Sequence, residues 1–347
     1  MKIAVYAIAK NEEQFVKRFC DSAKDADLIL IADTGSEDNT VKVAKKCGAT
    51  VHSISINPWR FDAARNCALA LLPADVDVCI SMDLDETLLP GWREEIERLW
   101  VGETNRIQHL FDNGDKLVFS VSRVHSRNGY VWKYPCHEYV TPDVRTKEVL
   151  VTSTFKMMLH APDPKKSRGQ YLPMLEMAVK EDPNCSRSQF YLAREYSFYS
   201  RFLECQEAFK KYLEMKTATW FVERSYAYRM IGSTEELLGN NGTKWFYKSL
   251  SEDPAAREPW LELAFKAYKK QDWQQCYLNA KMAIELKEKS LWHTTDPKAW
   301  TWPAYDFAAI AAHHLGLKEE SIVQGEEALK FDPTNERLIK NLEFYRK

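Results

Sequence analysis

Over residues 1 to about 90, short apolar runs alternate with longer mixed stretches. Ile3-Ala4-Val5-Tyr6-Ala7-Ile8 leads into the mixed stretch Glu12 to Ala23, Leu28-Ile29-Leu30-Ile31 leads into Thr40 to Cys47, and Phe61 to Leu72 precedes Val76-Asp77-Val78-Cys79-Ile80-Ser81-Met82. The short runs read as buried strands and the mixed stretches as helices with one apolar face. This alternation predicts βαβ units and a parallel sheet. Such sheets bind ligands outside the carboxyl ends of their strands. Here those ends run into Lys10-Asn11-Glu12, Asp33-Thr34-Gly35-Ser36 and Asp83-Leu84-Asp85-Glu86, so chemistry is expected along that edge.

Beyond about residue 185 the strand signals stop, and amphipathic helices with Ala, Leu, Tyr and Trp at helical spacing run to the C-terminus. The change of period divides the chain into an α/β domain, 1–170, and an all-α domain, 171–347. Trp260, Leu263, Ala264, Ala280 and Ala283 fit the tetratricopeptide pattern, as do Ala309, Ala328 and Pro333 one unit later. A weaker unit holds Leu192, Ala193, Tyr196 and Phe209, and a degenerate one ends in Phe246 and Pro254. A helix pair of this kind cannot bury its apolar face alone, so stacking several predicts a superhelix with a concave docking surface. The stretch Leu291 to Pro303 interrupts the repeat and places Trp292, Trp300 and Trp302 in a loop. Repeat arrays routinely bury such rings, which favours packing between helices over stacking on a sugar or peptide.

Composition narrows the function classes. The 347 residues, 45% hydrophobic, suffice for two buried cores. Lys+Arg total 48 against 50 Asp+Glu, a net charge of -2, which leaves no field to gather nucleic acid or to coat an anionic membrane. Met1 to Lys10 is too short for a membrane span and lacks a signal peptide's cleavage region, and no membrane span is expected. Eight cysteines without a CxxC pair suit reduced thiols in a cytoplasmic protein better than a disulfide frame or zinc site.

Two acidic features carry candidate chemistry. In Asp83-Leu84-Asp85 the first and third carboxylates can converge on a hard divalent cation, which prefers oxygen ligands and bridges to phosphates. Acidic turns are commonly just solvated, but this one closes a strand at the sheet edge. Asp33 ends an apolar strand, where a carboxylate can accept from a base N–H or a ribose hydroxyl. The residues after it read as a turn with Asp38 or Asn39 capping the next helix.

Together, Lys10-Asn11-Glu12-Glu13, Asp33-Thr34-Gly35-Ser36-Glu37-Asp38-Asn39-Thr40, Trp59-Arg60-Phe61-Asp62-Ala63-Ala64-Arg65-Asn66 and Met82-Asp83-Leu84-Asp85-Glu86 resemble family 2 glycosyltransferases of the GT-A fold. They are similar to the branch with tetratricopeptide repeats after the catalytic domain. The resemblance implies a Rossmann-like nucleotide-sugar-binding domain followed by helical repeats. Within it, Asp33 matches the carboxylate that holds the uracil or ribose, and Thr34 stands where the common DDGS form has a second aspartate. Asp83 and Asp85 match the DxD pair, Asp85 being the direct metal ligand, and Arg65 and Asn66 match a nucleotide-binding pair. His160 resembles the histidine that completes the metal site for Mn²⁺ or Mg²⁺, and Lys165 and Arg168 follow it as candidates for the leaving diphosphate. Arg123 and Trp132-Lys133-Tyr134-Pro135-Cys136-His137-Glu138 resemble an acceptor-facing element, in which Glu138 is the candidate general base or, equally, a residue that orients its loop.

The implied reaction is inverting, metal-dependent transfer of a sugar from a nucleoside diphosphate sugar, UDP-linked by preference. The acceptor is a peptide or protein side chain, a saccharide or a modified DNA base. The rival reading is a catalytically inactive GT-A fold serving as a tetratricopeptide adaptor, against which the acids and His160 speak. A nucleotidyltransferase would need a glycine-rich loop after the first strand, and Ala9-Lys10-Asn11-Glu12 lacks one.

Overall fold

The computed structural model describes residues 1–114, 117–160 and 167–347, with the side chains of 167 and 168 outside that description. The chain forms two compact units, Met1–Pro183 and Asn184–Lys347.

The first unit runs β1 (Ile3–Ala9), α1 (Glu13–Ser22), β2 (Leu28–Asp33), α2 (Thr40–Lys46), β3 (Thr50–Ser53), α3 (Phe61–Ala70), β4 (Val78–Ser81), β5 (Glu86–Leu88), α4 (Trp92–Leu99), β6 (Arg106–Asp112), β7 (Val118–Ser126), β8 (Tyr130–Lys133), β9 (Tyr139–Pro142), β10 (Leu150–His160) and α5 (Tyr171–Glu181). Its main sheet has the order β3-β2-β1-β4-β7-β6-β10-β5, and β8 and β9 pair apart from it. The expected parallel sheet is present from β3 to β4. Past β4 the sheet turns mixed: β7 is antiparallel to β4 and β6, β10 is parallel to β6, and β5 is antiparallel to β10. The reason is local, since only five residues connect β6 to β7, and the first of them, Asn113, donates its N–H to the carbonyl of the last, Leu117. A connection that short permits only an antiparallel pair.

The apolar run of β1 is explained by burial on both faces. Ile3, Val5, Ala7 and Ala9 face a core with Phe15, Val16, Phe19 and Cys20 of α1 and Trp92, Ile96 and Leu99 of α4. Ala4 and Tyr6 face the opposite core with Ala68 and Leu69 of α3 and Tyr130, Trp132 and Val140 of the small sheet. Strand side chains alternate between faces, so a strand covered on both sides has no polar position to give up.

Helix α5 lies in the first unit, beyond the 170/171 division read from the sequence. Tyr171 packs edge-on to Phe61, and Glu181 pairs with Arg60 at 2.8 Å.

The second unit is all-α: α6 (Ser186–Phe198), α7 (Phe202–Glu214), α8 (Phe221–Leu237), α9 (Thr243–Glu252), α10 (Glu258–Lys269), α11 (Trp273–Glu285), α12 (Pro303–His314), α13 (Lys318–Phe331) and α14 (Glu336–Arg346). Most residues of the expected repeat pattern are buried, among them Ala193, Phe209, Phe246, Ala264, Ala280, Ala283 and Ala328, while Tyr196 and Trp260 are half-buried and Pro254 and Pro333 exposed. The tryptophan loop packs within this unit: Trp292 lies edge-on to Trp220, Trp300 lies beneath Arg257, and Trp302 beneath Arg337. Among the described residues no helix is long and apolar enough to cross a membrane. An α/β GT-A-type unit followed by tetratricopeptide-like helices is the architecture expected from the sequence.

Candidate functional site

The sheet's strand order reverses between β1 and β4, which lie side by side but lead to opposite halves. A crevice opens outside the carboxyl ends of strands at such a switch point. Here it is flanked by the loops after β1, β2 and β4.

The first two loops are stitched together. Asn11, at φ 55°, donates its backbone N–H to Ser36 Oγ and accepts from Glu37 N–H, while Glu12 N–H donates to Thr40 Oγ1 at 2.7 Å. Asp38 accepts from Glu13 N–H and from Thr40 N–H at the start of α2, while the N-cap residue itself, Asn39, makes no side-chain capping bond. Asp33 is buried, and its carboxylate accepts from the backbone N–H of Gly35 and Ser36. It therefore organises its own loop, with Gly35 taking the positive φ of 99° that the turn requires.

Below the third loop lies a ladder of alternating charges. Arg65 of α3 is 5% exposed; its Nε donates to Glu138 Oε1 at 2.5 Å, its Nη2 to Asp83 Oδ1 at 2.6 Å and its Nη1 to Ser81 Oγ at 3.2 Å. Arg123 of β7 donates to both oxygens of Glu86 at 2.7 Å and lies 3.9 Å from Asp83 Oδ2. Glu86 in turn accepts the Asp83 backbone N–H at 2.9 Å, closing the Asp83-Leu84-Asp85 turn. Burial pushes the Asp83 and Glu86 carboxyls upward, but at Asp83 the two guanidiniums outweigh it and hold the group down to about 2. At Glu86 burial wins and its acid strength falls despite Arg123. A buried charge is tolerable only when paired and hydrogen-bonded, and every guanidinium here is.

The pairing of β5 with β10 sets His160 opposite Glu86, which brings His160 Nδ1 to 3.7 Å from Asp85 Oδ1. Arg18 of α1 donates to the Asp85 backbone carbonyl from the other side. One carboxylate and one imidazole suit Mn²⁺ or Mg²⁺, cations often held by one or two protein ligands with substrate phosphates completing the shell. The donor set thus fits the expected metal, although no group of three or more His, Cys, Asp or Glu among the described residues forms a metal cluster. Of the third expected ligand, Asp83, Oδ1 accepts from Arg65 and Oδ2 lies 3.9 Å from Arg123.

Three further expected residues have partners within the protein. Asn66 is not turned to a ligand: its amide donates to the Trp132 carbonyl and accepts the Trp132 N–H, at 2.9 and 2.8 Å, so it grips β8 like a neighbouring strand. Trp132 is 4% exposed and supports the Arg65 guanidinium on its ring at 4.9 Å, so it does not face an acceptor. Glu138 gives Oε1 to the Arg65 guanidinium. Lys165 lies outside the described residues, as does the Arg168 side chain.

Sequence reading assigned no role to Glu86 or Ser81, nor to the network behind Trp132. His125 Nδ1 is 2.8 Å from the Ser126 carbonyl and so carries the proton; Tyr6 O–H then donates to Nε2 at 3.0 Å, and Trp132 Nε1–H donates to the Tyr6 oxygen at 2.7 Å. Only Glu86, adjoining the DxD run, had a signal in the sequence.

Residues 4–159 match the family model "Glycosyl transferase family 2". An uncharacterised glycosyltransferase of Rickettsia conorii is 33% identical over 100 residues, 28% of this chain and 34% of that protein. A TPR repeat-containing protein of Synechococcus elongatus is 28% identical over 133 residues, 38% of this chain and 29% of that protein. The chain thus spans about a third of the length of the curated relatives it matches. Among solved structures, MamA aligns with 50% of this chain and 96% of its own at 16% identity and a TM-score of 0.40. Glucosyl-3-phosphoglycerate synthase from Mycobacterium tuberculosis, in complex with Mn²⁺ and UDP, aligns with 33% of this chain and 46% of its own, with 24% identity and a TM-score of 0.28. Residues 4–159, with their acid-bearing turn at the switch point of a mixed sheet, thus form a glycosyl transferase family 2 domain, ahead of the tetratricopeptide-like helices.

Proposed function

We propose that the α/β unit transfers a sugar from a nucleoside diphosphate sugar, UDP-linked by preference, to an acceptor bound at the same edge. The observation that carries this reading is the approach of Asp85 and His160 at the carboxyl end of β4, beside a family-matching DxD turn. Asp85 and His160 would hold Mn²⁺ or Mg²⁺, which stabilises the charge of the departing diphosphate when bound. The chain's own residues set the geometry around it. Asp33, fixed by its loop, is the contact for the base or ribose, since each carboxylate oxygen keeps further acceptor capacity. Asp83, held by Arg65, is assigned to the nucleotide sugar, and Lys165 and Arg168 to the diphosphate.

Family membership supports inversion, with the acceptor attacking the anomeric carbon as the diphosphate leaves with the bonding electrons. A helical repeat unit supports a polypeptide acceptor. A saccharide or a modified DNA base are the classes an acceptor screen would separate from it.

The test is thermal unfolding with UDP, other nucleoside diphosphates and their sugars, with and without Mn²⁺, on wild type, Asp85→Ala and His160→Ala. A ligand that binds only the native state stabilises it by about 2.7 kcal/mol at one hundred times its Kd. The expected result is a manganese-dependent rise with the UDP series that both substitutions abolish. Wild type that responds to no nucleotide would transfer the reading to a repeat-based adaptor on an inactive fold.

A further inference from the structure

The end of the α/β unit opposite the acid-bearing loops contains a feature that the glycosyltransferase reading leaves unused. A cleft of about 300 Å³ opens where α1 and α2 finish and β2 begins, and it is lined by Cys20, Asp21, Lys24, Asp27, Cys47 and Gly48, among others. Cys20 lies in the last turns of α1 and is 3% exposed; Cys47 is the C-cap of α2 and is half-buried. Both line this one cleft, on two helices packed side by side, and the Cys47 thiol lies near enough to raise that of Cys20. Two thiols this close, on separate helices and open to a cleft on one side, form an arrangement that none of the other six cysteines matches, Cys67 alone among them being half-buried and the rest buried.

We propose that Cys20 and Cys47 are a dithiol that closes reversibly to a disulfide, with a low-molecular-weight anionic disulfide of the glutathione class as the oxidant.

The charges in the cleft suit an anionic reagent. Asp21 is paired with Lys17 at 2.5 Å, and Asp27 accepts from Ile3 N–H and Arg93, so both carboxylates are already engaged. Lys24 lines the cleft, and Lys45 and Lys46 are exposed just before Cys47. Lysines around an open thiol raise the local concentration of an anion. The two cysteines then have different tasks set by access. Cys47 is the sulfur a reagent can reach, so its thiolate attacks the reagent's S–S bond, forming a mixed disulfide and expelling one thiolate that takes up a proton. Cys20 then attacks the Cys47 sulfur, loses its proton, and expels the second reagent thiol. The balance is two protein thiols and one reagent disulfide giving one protein disulfide and two reagent thiols; the protein gives up two electrons and two protons, and the reagent receives them. Burial pushes the Cys20 thiol up to about 12, with Cys47 adding to the shift, which keeps Cys20 inert toward reagents in bulk and restricts it to the resolving step.

The site is tested on the full-length reduced protein incubated with oxidised glutathione, quenched with N-ethylmaleimide, digested and mapped by mass spectrometry. The expected product is a linked pair of peptides containing Cys20 and Cys47, cleaved by dithiothreitol and formed about tenfold faster than in the same protein unfolded in urea, where the two thiols meet only by chance. Cys20→Ala should arrest the reaction at glutathionylated Cys47. A wild-type map in which Cys20 stays alkylated while Cys47 or Cys67 carries glutathione overturns the proposal, as does a link that forms no faster than in urea. Because the wild-type map decides alone, a variant that folds poorly leaves the test intact, and neither arm depends on the proposed transferase activity.

Discussion

The guanidinium of Arg65 stands 2.6 Å from the carboxylate of Asp83, so the acid that opens the DxD turn is paired with a buried cation. The same guanidinium holds Glu138 and rests on Trp132. Arg65 is thus the centre on which the turn, the small sheet and the floor of the crevice are all built.

Replacing Arg65 with Met keeps the volume but strands Glu138 and, in part, Asp83 without a counter-charge. Asp83 is two-fifths open to water, which softens the penalty, so the loss of stability should be roughly 3 kcal/mol, at the low end for a broken buried pair. Urea midpoints at pH 7 measure it. A loss below about 0.5 kcal/mol, the range of ordinary surface substitutions, would mean that the ladder is not what holds this floor together.

Glu138→Gln separates the two roles considered for this residue. The amide oxygen can still accept from Arg65 Nε, so a holder of Arg65 should keep most donor turnover and nucleotide binding in the variant, while Glu138→Ala loses both. Release of UDP from the responsive donor measures this. Turnover reduced by about a hundredfold or more in Gln, with binding intact, would restore Glu138 as the base.

Asn66→Ala removes a side chain that replaces two backbone hydrogen bonds of β8. An unmet N–H and C=O at a buried strand cost about 1–3 kcal/mol, and the small sheet should loosen first. Hydrogen exchange should show faster turnover at the Trp132 amide than at the amides of β1. Unchanged protection at Trp132 would return Asn66 to the list of ligand contacts.

Acid stability should fall in two stages. Burial holds His109 and His125 neutral, each down to about 4, and His109 Nε2 is buried with no hydrogen-bond partner among the described residues. The unfolded chain takes up these protons near pH 6.5, before the folded one does, so the stability they contribute is complete above that pH and is lost as pH falls toward 4, at roughly 3 kcal/mol per histidine. Asp83 adds a second stage: its folded carboxyl is near 2, so the stability from its pairing persists above the unfolded value near 4 and is lost as pH falls from there through about 2. Urea midpoints between pH 7 and 4 should slope less in His109→Phe than in wild type; equal slopes would contradict the neutral buried histidine.

In the helical unit, α8 and α9 touch through two glycines. A methyl group at Gly242 would run into the Gly232 carbonyl oxygen, and one at Gly232 would fall 2.6 Å from a ring carbon of Phe246. Gly242→Ala should destabilise this unit by about 1–3 kcal/mol through overpacking, with the α/β unit's nucleotide response unchanged. Calorimetry that shows no shift in any transition would refute the close approach.

Much of this was legible from local patterns. Ile3 to Ala9 could only be a doubly covered strand, because it offers no polar position to a solvated face. The repeat residues Ala264 and Ala280 marked helix pairs, because close helix packing needs small side chains at fixed spacing. Strands β6 to β10 were not legible: half-buried residues such as those of β7 alternate weakly, and the short connection between β6 and β7 has no crossover helix to announce it. The site was legible in its residue types, through the acids at strand ends, but not in its pairings.

The sequence by itself determined that an α/β unit precedes helical repeats and that Asp33, Asp83 and Asp85 sit at one sheet edge, since periodicity and strand ends are properties of neighbours along the chain. Only the tertiary structure decided that Asp83 pairs with Arg65 while Asp85 approaches His160, that Asn66 bonds the Trp132 backbone and Glu138 the Arg65 guanidinium, and that Cys20 and Cys47 line one cleft. Those outcomes depend on strand register and helix packing between distant segments, where a shift of one residue would turn each side chain to the opposite face.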